Sequence, residues 1–290
     1  MDVSGPAAAV AALPGGGIAA ASGDLVWLTD RSGASESLNP DYGPLRRRLK
    51  DIRALAAAPD GRLAVADAGN NRVWELVLAG APEPRGPRDL DGARTTWAGA
   101  PIRILAGAGT TFYPIGDGAK AVAAQLDSPS GVTWLPDGSL LVSDTGHGRV
   151  QRVGPDGRIS SLAGTGVPGP GGDGGPALKA FLAGPGSLAA GPDGSAIVAE
   201  AESRIRRIAP DGTIATLARA KAAGLAIGPD GTVFASVGTD VMAFWDGGEA
   251  LILGGLHGPL GLAVLPGGAL AVADTDRVVF LEPAEVRREP

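Results

Sequence analysis

The 290-residue chain holds two histidines and no cysteine, so acid–base chemistry would have to be built from His147, His257 and carboxylates. His257 stands nine residues before Pro266. The same offset from Pro59, Pro136 and Pro229 falls on Lys50, on Asp127 and on Ala220, with Lys221 adjacent. If those prolines mark a repeated register, Lys50, Asp127, Lys221 and His257 converge on one rim and form a candidate binding set. A histidine near a carboxylate can act as a general base, which makes His257 and Asp127 the candidate catalytic residues. The same four also read as a polar rim in contact with water. His147 takes the place that Asn70 holds in an equivalent hairpin and reads as a turn residue.

A second constellation is repeated: Asp67 with Arg72, Asp144 with Arg149, Glu200 with Arg204, and Asp274 with Arg277. Such pairs could form a ring of charge around a ligand. They could equally be cross-strand ion pairs, each worth ~0.2–1 kcal/mol to its hairpin. Recurrence favours the structural reading, because a catalytic residue is needed once. Two copies lack the acid and carry Ser22 or Val237 instead.

Other chemistry is excluded or weakened. Without cysteine there is no disulfide, zinc–thiolate site or thiol nucleophile. Lysine and arginine number 25 against 31 acids, a net charge of −6, which argues against nucleic acid as a partner. The dense basic run Arg46-Arg47-Arg48 with Lys50 reads as a solvated loop. Gly164-Thr-Gly166-Val-Pro-Gly169 matches a dinucleotide fingerprint in letters only, since Pro168, Pro170 and the glycines after them forbid the required helix. No segment is long and apolar enough to span a membrane as a helix. The apolar stretch Ala7 to Leu13 follows Asp2 rather than a basic region, so it is not read as a signal peptide. A cytoplasmic location is expected, although a mature secreted fragment would carry the same residues.

The elements that must position these groups follow from a cadence. Pro-Asp-Gly recurs at Pro59, Pro136, Pro192 and Pro229, with degenerate Pro-Gly-Gly copies at Pro14 and Pro266. The prolines lie 45, 77, 56, 37 and 37 residues apart, so the unit is 37 residues and the longer intervals hold insertions. Around Pro136 the unit reads as four short strands separated by tight turns. Glycine and proline interrupt every possible helical window. The fold class expected is all-β, a six-bladed β-propeller of four-stranded antiparallel blades forming one domain over 1–290.

Leu140-Leu-Val-Ser-Asp144-Thr-Gly-His-Gly-Arg149-Val and Leu63-Ala-Val-Ala-Asp67-Ala-Gly-Asn-Asn-Arg72-Val resemble the NHL repeat. Gly172-Asp173-Gly-Gly-Pro-Ala177 resembles an insertion found between blades of bacterial NHL proteins, and Gly116-Asp117-Gly118-Ala119 is a weaker copy. The resemblance implies a six-bladed propeller, in agreement with the repeat count. Six-bladed calcium lactonases and zinc-dependent lyases need carboxylates, amides or several histidines in the channel. The innermost strands here offer almost none, and no cofactor is expected. Trp27, Trp74, Trp134 and Trp245 read as inter-blade core, with Trp97 in an insertion.

The expanded inter-blade connections, 39–51, 108–128 and 165–184, are expected on the face opposite the Pro-Asp-Gly turns, beside the channel mouth. Propellers usually close by pairing an N-terminal strand with the last blade. Too little chain precedes the first blade for that, so the last blade uses Ala284 to Glu289 or stays three-stranded. Three functions remain open. The leading one is a monomeric binding scaffold that engages a protein, peptide or small-molecule ligand on the looped face. The second is a lyase or hydrolase acting through His257 and Asp127. The third is a fragment of a larger sensor or surface protein.

Overall fold

Six turns with one hydrogen-bond pattern set the architecture. At Pro136-Asp137-Gly138 the glycine adopts φ +81° and its amide donates to Leu135 O at 3.0 Å. The Asp137 carboxylate accepts from the Ser139 amide at 2.9 Å. Gly61, Gly194 and Gly231 repeat the geometry at φ +85°, +84° and +83°. Their amides donate to Ala58 O, Gly191 O and Gly228 O, each at 3.0 Å. The degenerate copies behave alike, with Gly16 bonded to Leu13 O at 2.8 Å and Gly268 to Leu265 O at 2.9 Å. Proline fixes the first turn position, aspartate ties down the following amide, and glycine takes the left-handed conformation other residues avoid.

The computed structural model describes residues 9–29, 35–37, 49–78, 95–97, 100–111, 117–275 and 277–283. Each turn joins an innermost strand to the second strand of a blade. The innermost strands are Ala9–Ala12, Ile52–Ala57, Pro129–Trp134, Pro185–Ala190, Ala222–Ile227 and Gly261–Val264. Each packs against its neighbours in order, and the last meets the first, which closes a ring of six antiparallel sheets. Blades 1, 3 and 5 have four strands, blades 2 and 4 have five, and blade 6 has three among the described residues. Gly261 lies against Val10, where an added Cβ would come within 2.9 Å of the Val10 amide nitrogen. The expected tail, Ala284 to Glu289, lies outside the described residues.

The core is a set of apolar layers between blades. Leu140, Val142 and Val132 of blade 3 pack on Ala64, Ala66 and Val73 of blade 2, all buried. Small residues at the centre let innermost strands approach closely. A Cβ on Gly131 would sit 2.1 Å from Gly186 O of blade 4, and one on Gly224 would sit 2.3 Å from Leu260 O of blade 6.

The insertions depart from expectation. Gly118 donates to Ile159 O at 2.8 Å and Ile159 to Ala119 O at 2.9 Å, so 117–121 runs along the outer strand Ile159–Ala163 of blade 3. Likewise Gly175–Pro176 pairs antiparallel with Thr213–Ala218, the outer strand of blade 4. These connections wrap the rim of the following blade instead of standing beside the channel. The physical reason is the row of unpaired amides and carbonyls on an outer strand, which a backbone laid alongside satisfies. In blade 2 Thr95–Trp97 is likewise an edge strand, on Ala100–Ala106. Of the 39–51 connection, 39–48 lies outside the described residues, with Arg46, Arg47 and Arg48.

Candidate functional site

The register inferred from the proline offset exists, and backbone amides rather than side chains mark it. The Asp144 carboxylate accepts from the Asp127 amide at 2.8 Å. Asp67 accepts from the Lys50 amide at 3.3 Å, and Asp274 from the His257 amide at 3.0 Å. Each buried acid ends a second strand or follows it directly, and staples the connection that leads into its own blade. Blade 5 has Val237 at the acid's position, and Lys221 is exposed.

In blades 2, 3 and 4 the third strand supplies another donor at one position, with a different residue in each. Trp74 Nε1 donates to Asp67 at 3.0 Å, Gln151 hydrogen-bonds Asp144, and Arg206 Nη1 donates to Glu200 at 3.2 Å. His147 Nδ1 lies 3.0 Å from both Asp144 oxygens, as Asn70 Nδ2 lies 2.7 Å from Asp67. Burial pushes the Asp144 carboxyl above its ordinary value, against the pull of the Asp127 amide and His147.

The expected hairpin ion pairs are corrected in two of four cases. Glu200 meets Arg204 at 2.5 Å, and Asp274 lies 3.7 Å from Arg277. Asp67 stands opposite Arg72 and Asp144 opposite Arg149 in the strand register, yet these arginines turn away. Arg72 donates to Ala108 O at 3.3 Å and Arg149 to Thr165 O at 3.2 Å. A fully buried carboxylate takes several short bonds from nearby amides and rings, and the longer guanidinium reaches the outgoing connection.

His257 and Asp127 are not brought together. They belong to blades 6 and 3, which are opposite each other in a ring of six. Asp127 lies in its own hairpin, where it accepts from Ser128 Oγ at 3.0 Å and leaves no room for a Cβ on Gly146. Neither of the two channel cavities formed by the described residues is lined by Lys50, Asp127, Lys221 or His257. Among the described residues no group of three His, Asp or Glu side chains gathers as a metal ion would require.

The cavity is elsewhere. The channel widens toward the hinge prolines into a space of about 990 Å³, bounded by Pro14, Pro59, Pro136, Pro192, Pro229 and Pro266. Its walls are the later halves of the innermost strands, and Thr133 is the one hydroxyl or charge-bearing side chain among its lining residues. Trp134 also lines it, with Nε1 committed to Ala56 O at 3.1 Å and Arg62 stacked 4.5 Å from its ring. At the other end the channel narrows to about 60 Å³, where Arg53, Ser130 and Ser187 are the polar lining. Arg53 is held by Asp51 at 2.8 Å. Sequence reasoning missed Arg53, although an arginine in the run Ile52-Arg53-Ala54-Leu55 was the available signal.

The blade-4 insertion is pinned by charge. Asp173 accepts from Arg206 Nη2 at 2.7 Å and from Thr216 Oγ1 at 2.6 Å. Partial burial opposes ionisation of Asp173, but the Thr216 hydroxyl and the Arg206 and Arg204 guanidinium groups outweigh it and hold the carboxyl below its ordinary 3.8. A carboxyl lowered on folding stabilises the folded state above pH 3.8, and that contribution is lost as pH falls through the folded value. The Gly174 and Ala177 amides, bonded to Ile214 O and Gly212 O, are expected to lose hydrogen-exchange protection in that acid window. Asp173→Asn should remove the pH dependence.

Comparison with known proteins agrees with this geometry. Residues 126–153 match the NHL repeat. A search of curated proteins finds no match. The fold is similar to a gluconolactonase from Xanthomonas campestris, with TM-score 0.67 at 16% identity, covering 97% of this chain and 87% of that one. A streptogramin B lyase gives TM-score 0.60 at 15% identity, with 97% and 96% covered. A chain of the nidogen/laminin complex gives 0.62 at 14%, with 91% and 88% covered. At such identities the likeness shows the fold. Six blades on one turn pattern make this chain a six-bladed β-propeller, and its third blade carries an NHL repeat.

Proposed function

We propose that this propeller is a binding scaffold that takes a small apolar or amphipathic molecule into its channel from the hinge-proline face. The observation that carries this reading is the wide end itself: about 990 Å³ lined by apolar strand residues, with Thr133 for polar orientation. That volume is at the upper end of ordinary ligand pockets, and its lining suits burial of apolar surface. The lining has no carboxylate, imidazole or amine to transfer a proton. The nidogen/laminin neighbour supports a binding role for such a ring. Nile red, a neutral apolar fluorophore, is expected to bind the wild type. Thr133→Arg, which fills and charges the cavity, should weaken that binding at least about tenfold at an unchanged melting temperature. Equal binding by the two proteins would sink the reading.

A second reading, a lyase or hydrolase at the channel mouth, has two enzyme neighbours in its favour. It requires His257 and Asp127 to act from opposite blades on one substrate. Turnover of a lactone or ester that His257→Ala abolishes would support it, and turnover indifferent to that change would remove it.

A further inference from the structure

A repeat shows where it has been altered. Val153, Ile208 and Phe244 occupy one position on the third strands of blades 3, 4 and 5, opposite Leu140, Ala196 and Val233. The next two residues are Gly154-Pro155 in blade 3 and Ala209-Pro210 in blade 4, but Trp245-Asp246 in blade 5. Closing the hairpin does not require this change, since the other two blades turn at the same place without it. The three altered residues line a cleft of about 440 Å³ between blades 4 and 5, on the hinge-proline face.

Phe244, itself buried, forms the floor with aliphatic neighbours, and Trp245 lies against Gly248, where a Cβ would come within 2.8 Å of the indole. The charged lining is Asp193, Asp230, Asp246 and Arg207, three carboxylates to one guanidinium. Arg207 is already engaged with Asp193 at 2.6 Å. An aromatic face and an excess of carboxylate above an apolar floor favour one kind of guest.

We propose that this cleft binds a small organic cation, an ammonium on an apolar body, with the body on Phe244 and the charge beside Trp245, Asp230 and Asp246. The cleft adjoins the wide end of the channel, sharing Gly191, Pro192, Ile227 and Pro229 with it, but its aromatic and charged residues lie outside the channel lining. The proposal does not depend on the function proposed for the channel.

Calorimetric titration with 2-phenylethylammonium tests the proposal, with 2-phenylethanol and 3-phenylpropionate as neutral and anionic counterparts. The ammonium is expected to bind at least about tenfold more tightly than the alcohol, and the carboxylate more weakly than both. Restoring the blade-4 residues with Trp245→Ala and Asp246→Pro should reduce ammonium affinity at least about tenfold. Asp246→Asn, which removes only the charge of an exposed residue, should do so in part and guards against misfolding of the double variant. Thr133→Arg should leave the titration unchanged. The proposal is overturned if the wild type does not bind the ammonium at millimolar concentration, or if the alcohol binds as tightly. It is also overturned if both Trp245/Asp246 variants keep wild-type affinity.

Discussion

Arg206→Ala is expected to destabilise the protein by about 3–5 kcal/mol, the range found when one partner of a buried ion pair is removed. Arg206 is fully buried and spans two elements. It donates to Glu200, itself buried, and to Asp173, Phe181 O and Gly171 O of the insertion. Its loss leaves the Glu200 carboxylate with Arg204 alone, in surroundings that penalise charge. The insertion over blade 4 loses its central anchor at the same time. Thermal unfolding should shift down by on the order of 10 °C for a chain of this size. Arg206→Lys should recover part of the loss, because a cation again faces the buried Glu200 carboxylate. A change below about 1 kcal/mol in the single variant would contradict the account of this cluster.

Gly131→Ala is the second large effect expected, and its cause is steric. Gly131 has ordinary backbone angles, so the added methyl costs nothing in conformation. It would stand 2.1 Å from Gly186 O, a backbone atom of the next blade with nowhere to move. Blades 3 and 4 must separate to admit it, which breaks the Ser143 Oγ bond to Gly186 O at 2.6 Å. Loss of about 3 kcal/mol is expected, at the upper end for overpacking. Gly15→Ala, with open space around it, is the control and should change stability little. Equal melting temperatures for Gly131→Ala and wild type would show that the blades are not in the close contact described.

What the sequence revealed depended on how local the determinants are. The Pro-Asp-Gly turns were legible because three consecutive residues dictate a backbone conformation and a hydrogen bond. The rim register of Lys50, Asp127 and His257 was legible because each stands at a fixed distance from such a turn. The path of the insertions was not. Residues 117–121 and 172–177 pair with outer strands some forty residues further on, and no periodicity in either segment signals that partner. The Asp173 of the Gly-Asp-Gly-Gly run proved to be a clamp on Arg206 and Thr216, a role set by residues distant in the chain. Nor could the strand letters show which end of the channel flares. Ala-rich innermost strands are compatible with either taper, and only the ring geometry puts the volume at the prolines.

The most direct test of the channel as ligand site is photolabelling with a small apolar diazirine, followed by peptide mapping of the modified residues. Label concentrated on the later halves of the innermost strands, Leu55 to Ala58, Thr133 to Leu135 and Ala189 to Ala190, is the result predicted. Label on the 165–184 insertion, or around Asp127 and His257 with the strand interiors untouched, would contradict it.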